Sequence, residues 1–130
     1  MINNNRMRYI SFERMLKECG KKQIIKLEDR SPKFLFGTKN YGDIPGKINR
    51  SDGDPWDVIV PGYPKLRRDT PMKTRRLEGV IMFNNGNHKL VFDIETDEKR
   101  RTQEQIKKEL DRYIKLYKKL TGRQGYLIVF

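Results

Sequence analysis

The sequence predicts an α+β, mainly β fold: a small closed or partly closed sheet with a short N-terminal helix and one long late helix. Three observations lead there. Strand-like segments cluster in the middle of the chain and do not alternate with helices, which argues against a doubly wound fold. Two of them, 71–83 and 88–95, are joined by "NNGN" at 84–87, a strong hairpin signal. One segment alone, from about Thr102 to Leu120, carries a sustained helical period. With 130 residues, one domain spanning 1–130 and one modest core are expected.

The elements follow in order. Residues 11–19, "SFERMLKEC", form a short helix with Ser11 as N-cap, Phe12, Met15, Leu16 and Cys19 on one face, and Gly20 as its stop. "KQIIKL" (22–27) is a strand. "SPKFLFGTKNYG" (31–42) opens with a Ser-Pro turn and carries a short apolar strand. "YGDIPGKINRSDGDP" (41–55), with three glycines and two prolines, reads as loop. "WDVIVPG" (56–62) is a strand ending at Pro61-Gly62. In the late helix, Ile106, Leu110, Tyr113, Tyr117 and Leu120 make one apolar stripe, and Thr121-Gly122 ends it. "GYLIVF" (125–130) is a last strand.

Charge and composition narrow the function classes. No stretch approaches the roughly 18 apolar residues of a membrane span, and the N-terminus has no apolar signal core. Cys19 is the only cysteine, so no internal disulfide forms. With one histidine there are too few soft ligands for a structural zinc site. An intracellular, cytoplasmic protein without membrane attachment is expected. The net charge of +12 implies attraction to polyanions, from small phosphates and nucleotides to nucleic acid. A merely solvated, solubilising surface would carry the same excess. Basic residues are densest at 65–76, six against one acid, and at 99–123, ten against three. Little aromatic interleaving accompanies them.

Against this background, "SDGDPWDVIVPGY" places Asp52, Asp54 and Asp57 within six positions. Gly53 permits a tight turn and Pro55 fixes φ as the chain enters the strand. Asp52 and Asp57 can then converge, with Asp54 beside them. Three carboxylates so close repel one another unless a cation neutralises them, and hard oxygens suit Mg²⁺ or Mn²⁺. A solvated turn is the alternative reading of the same spacing.

The stretch "NYGDIPGKINRSDGDPWDVIVPGYP" resembles the soluble family I inorganic pyrophosphatases, whose signature joins Asn-Tyr-Gly-aromatic-Ile-Pro to Asp-Gly-Asp-Pro-aliphatic-Asp-Val. "RRLEGVIMF", "HKLV" and "LYKKL" resemble further family segments, so the likeness runs from about residue 36 to 122. It implies a small five-stranded, OB-like barrel with flanking helices, in a divergent and shortened member. It implies Mg²⁺-dependent hydrolysis of pyrophosphate, with Mn²⁺ as a substitute, by a homo-oligomer. By the same resemblance Asp52 and Asp57 are metal ligands and Asp54 orients the attacking water. Tyr41, Lys89, Tyr117 and Lys118 contact phosphate, and Arg30 corresponds, one position out of register, to an active-site arginine.

The departures bear on activity. Asn84 and Asn87 (or Asn85) stand where the family hairpin carries two more metal-binding aspartates. Asparagine still offers an oxygen but no longer offsets cation charge, so weakened activity is expected. The family's Lys-x-Glu pair has no clean match, with "IIKLED" the nearest stretch. Gly37 replaces a tyrosine, Trp56 an aliphatic residue and Asp43 an aromatic, and the chain ends at Phe130 without a C-terminal helix. Trp56 is expected in a core or interface, His88 in a turn, and Cys19 as a small packing group. Two alternatives stay open: hydrolysis of another phosphoanhydride such as a nucleotide, and a non-catalytic descendant that binds nucleic acid or a partner protein through its basic surface.

Overall fold

The computed structural model describes residues 4–28, 38–50 and 52–130. The element order is α1 (Asn4–Cys19), β1 (Ile24–Leu27), β2 (Tyr41–Ile48), β3 (Pro55–Ile59), β4 (Met72–Met82), β5 (Lys89–Ile94), α2 (Gln103–Thr121) and β6 (Tyr126–Val129). The strands run in the order β1-β2-β3-β5-β4, and β4 returns to pair with β1, so five strands close a mixed barrel. β3 and β5 are parallel; the other pairs are antiparallel. β6 lies outside the ring on β4.

Two hydrophobic clusters define the layers. Inside the barrel are Ile25, Leu27, Ile44, Trp56, Val58, Val80, Leu90, Phe92 and Ile94, closed at one end by Met15 and Cys19 of α1. Outside it, Tyr41, Ile59, Ile81, Phe83 and Val91 meet Ile106, Leu110, Tyr113 and Tyr117 of α2. β5 is therefore buried on both faces, which is why "KLVFDI" reads as a nearly continuous apolar run. Burying each large apolar side chain of this kind contributes about 1.5–3 kcal/mol.

Local chemistry sets the boundaries of α2. Thr102 and Gln105 form a reciprocal capping box, and Gly122 (φ 76°) ends the helix, its N–H donating to Lys118 O. The apolar stripe stops at Tyr117; Leu120 is exposed. The N-terminal helix is longer than expected, starting at Asn4, so Ser11 lies inside it rather than capping it. Of the expected face, Met15 and Cys19 are fully buried and Phe12 packs against the same cluster, whereas Leu16 is exposed. Burial pushes the Cys19 thiol up to about 12, consistent with an inert packing group.

The largest difference from expectation is β2. Residues 41–48 form a strand, not loop. Gly42 is required there because a Cβ would lie 1.9 Å from Lys26 O on β1. Pro45 and Gly46 (φ 82°) sit where the β2–β3 register shifts between Asp43 and Ile48. The glycines and proline that suggest a loop thus serve close strand approach and a bulge. The apolar strand expected within 31–37 lies outside the described residues. Trp56 is in the core, its Nε1–H donating to Glu18 Oε2 at 3.4 Å. No described helix is long and apolar enough to cross a membrane.

Candidate functional site

The register places charges in a row. Lys26 of β1 faces Asp43 of β2, Asp43 faces Asp57 of β3, and Asp57 faces Lys89 of β5. Cross-strand partners share a face, so these four residues line the outer surface of the barrel. Directly opposed Asp43 and Asp57 repel, and cations at the ends of the row offset that cost.

The row ends beneath α2. Lys89 Nζ donates to Asp57 Oδ2 at 2.6 Å and to Asn87 Oδ1 at 3.3 Å. The ammonium lies 5.9 Å from the ring centroids of both Tyr41 and Tyr117, within cation–π range. The Lys89 side chain is 4% exposed and that of Asp57 19%. The Tyr41 hydroxyl hydrogen-bonds Asp57 as well. Burial, then the charge of Asp57, raises its pKa far above the ordinary range. Tyr41 is thus a permanent donor, not a base. Tyr113 pairs with Tyr41 and is likewise raised by burial. Phe83 packs on Tyr117 at 4.5 Å, and Tyr117 on Tyr113 at 5.8 Å.

Neighbouring segments fix this arrangement. Buried Asn49 accepts the N–H groups of Asp52 and Gly53 at its carbonyl, and donates its own N–H to Asp54 O at 2.8 Å. Its side-chain amide donates to Gly86 O at 3.1 Å, tying the acidic loop to the β4–β5 hairpin. Asn40 does the same for the segment after β3: its amide donates to Pro64 O at 3.0 Å and its oxygen accepts the Leu66 N–H at 2.9 Å. His88 is not a surface turn residue. It is fully buried, and its Nδ1 accepts the Phe83 N–H at 3.0 Å, closing the hairpin from within.

Of the residues singled out in the sequence, Asp57, Lys89, Tyr41, Tyr117 and Asn87 come together. Asp52 and Asp54 are exposed in the loop, where Asp52 Oδ1 accepts the Asp54 N–H at 2.9 Å. Among the described residues no three His, Cys, Asp or Glu side chains form a group that could hold a metal ion, so the expected three-carboxylate convergence is not formed there. Asn84 and Lys118 are exposed, and Asn85 Oδ1 accepts the Asn87 N–H at 3.1 Å. Arg30 lies outside the described residues. The sequence gives no sign of Asn49, and places Tyr113 on the apolar stripe without a site role. A buried asparagine in a glycine-rich loop gives no periodic signal, and Tyr113 falls on an apolar stripe that packing already explains.

A closed five-stranded barrel crossed by one long helix, with a lysine–aspartate pair under that helix, defines an OB-like α+β domain. Its architecture is that of the inorganic pyrophosphatases. The Thermus thermophilus inorganic pyrophosphatase superposes with a TM-score of 0.58 at 19% identity, over 85% of this chain and 82% of its own. An inorganic phosphatase from Anaplasma phagocytophilum gives 0.59 at 20% identity, over 86% and 85%. The Ehrlichia chaffeensis inorganic pyrophosphatase gives 0.60 at 16% identity, over 84% and 86%. At such identities the likeness establishes the fold. No protein-family model matches the chain, and no curated protein matches it.

Proposed function

We propose that the protein hydrolyses inorganic pyrophosphate, slowly and with a divalent metal, at the Asp57–Lys89 cluster. The carrying observation is that a carboxylate oxygen of Asp57 and an amide oxygen of Asn87, from two different elements, converge on one cation, the Lys89 ammonium. A carboxylate and an amide oxygen are hard donors suited to a divalent ion, which Asp57 and Asn87 would hold. Bound there, Mg²⁺ or Mn²⁺ would supply charge neutralisation and a lowered pKa for bound water. The pyrophosphatase architecture of the barrel supports the same chemistry.

The chain's own residues divide the work. The Lys89 ammonium attracts the substrate's anionic oxygens, and the rings of Tyr41 and Tyr117 hold it in place. Tyr41 donates to Asp57 and fixes its carboxylate, with Tyr113 behind it. Exposed Asp54 orients the attacking water and accepts its proton. The water oxygen bonds to one phosphorus while the bridging P–O bond breaks, releasing two phosphates. Lys118 on the exposed helix face draws the anion toward the cluster.

Phosphate release from pyrophosphate, measured with and without MgCl₂, tests this reading. Wild type should show metal-dependent release, and Asp57→Asn and Lys89→Met should each lower it about a hundredfold, equivalent to about 2.7 kcal/mol of barrier. No release by folded wild type at any metal concentration, or equal release by the variants, would overturn it.

A further inference from the structure

A second concave surface lies away from this cluster. The end of α1, the connection that follows it, and the end of β2 with the turn after it line a wide, open depression of about 1060 Å³. Arg14, Lys17, Lys21, Lys47 and Arg50 line it, and none of the five makes an ion pair among the described residues. A sixth cation, Lys22, is turned toward Glu95 at 3.6 Å. The wall has two acids, Glu13 and Glu18, and Glu18 is engaged by the Trp56 indole N–H. Five unpaired like charges around one depression repel one another and sum to a positive field facing solvent.

We propose that this depression binds nucleic acid through its phosphate backbone, independently of the pyrophosphate reading. The lining favours that ligand. It has no aromatic side chain, so bases are not stacked and sequence is not read; contacts go to phosphates. Its lining offers a single apolar side chain, Leu16, where a bilayer would need several apolar anchors. Arginines and lysines from α1, β2 and the connections beside them let successive phosphates be met across the depression.

The test is anisotropy of a fluorescein-labelled 20-nucleotide single strand titrated with the full chain across a salt series. Wild type should bind, with log affinity falling linearly in log salt. The triple variant Lys17→Gln, Lys21→Gln, Lys47→Gln should lose at least tenfold in affinity. Its salt slope should be shallower by about 2, as three neutralised single-strand phosphates at about 0.7 each require. A control of equal net charge on α2, Lys107→Gln, Lys108→Gln, Lys115→Gln, should lose much less, and pyrophosphate hydrolysis should not change in the depression variant. Absence of binding at low salt overturns the proposal, as does an equal loss in the α2 control. Vesicles containing phosphatidylserine that bind more tightly than the oligonucleotide, with the same dependence on these three lysines, also overturn it in favour of a membrane surface.

Discussion

Strand β5 carries a charged residue at each end of its outward row, Lys89 and Asp93, and the two ends are built differently. At the Asp93 end, Asp93 Oδ1 accepts the Tyr63 hydroxyl, and Oδ2 lies 3.5 Å from Arg75 Nε and 3.6 Å from Arg100 Nη1. Arg100 clamps Glu78 with two bonds, of 2.9 and 2.5 Å, gives its Nε–H to Pro61 O, and covers the Tyr63 ring. Two arginines meet two acids, with a backbone carbonyl besides. Burial and the bond to Asp93 push the Tyr63 phenol up to about 12, so it stays a donor. This end is a saturated latch that fastens the connection between β5 and α2 to the barrel. At the Lys89 end the row Lys26, Asp43, Asp57, Lys89 is balanced in number, and the Asp57 side chain keeps 19% of its surface exposed. That exposed carboxylate edge is open to a further cation, whereas Asp93 has none left over. The comparison teaches that buried charge alone does not mark a site; charge that keeps an exposed side does.

The sharpest way to break this contrast is to truncate each end. Arg100→Met leaves Asp93 and Glu78 without their shared partner and should lower unfolding stability by about 3 kcal/mol in urea denaturation. Lys89→Met leaves only Asp57, which keeps the Tyr41 hydroxyl and partial hydration. It should cost about 1–2 kcal/mol of stability while removing most activity. Equal stability losses would erase the distinction between latch and site.

Much of this architecture was legible in the sequence, for identifiable reasons. The α2 stripe as far as Tyr117, its Gly122 stop and the "NNGN" hairpin are short-range patterns, and each is where the local sequence puts it. β2 was not legible, because Gly42, Pro45 and Gly46 answer to a neighbouring strand and a bulge rather than to local turns. The site divides the same way. Tyr41, Asp57 and Lys89 meet because register across β2, β3 and β5 carries them to one place, and the β4–β5 hairpin and α2 bring Asn87 and Tyr117 beside them. The convergence of Asp52 and Asp54 with Asp57 is not formed: Asp52 closes its own turn, a local hydrogen bond that competes with any longer-range arrangement.

Smaller effects sharpen the picture. Tyr113→Phe removes the hydroxyl behind Tyr41 and should cost about 1 kcal/mol or less. Phosphate release should fall several-fold through kcat, while KM holds; an unchanged kcat would return Tyr113 to packing alone. Glu109 gives the smallest effect. Burial raises its pKa, opposed by the Gly62 N–H it accepts at 3.1 Å and by nearby Arg101. A carboxyl raised on folding favours the native state below its unfolded pKa, and that contribution is lost as pH rises through the folded value. Glu109→Gln keeps the acceptor oxygen without the charge. Its melting temperature should exceed wild type by a few degrees at pH 8 and match it at pH 4, and a gain of equal size at both would remove the titration from the account.

The central claim is that Asp57 and Asn87 form a cation cradle. Mg²⁺ titration by calorimetry, on wild type, Asp57→Asn and Asn87→Asp, tests it most directly. Wild type should bind Mg²⁺ weakly, Asp57→Asn should abolish most of the binding, and Asn87→Asp should tighten it about tenfold by adding one charge at the shared oxygen position, about 1.4 kcal/mol. Affinities that are the same in all three folded proteins would contradict the claim and leave the Asp57–Lys89 pair as a structural ion pair on a pyrophosphatase-like barrel.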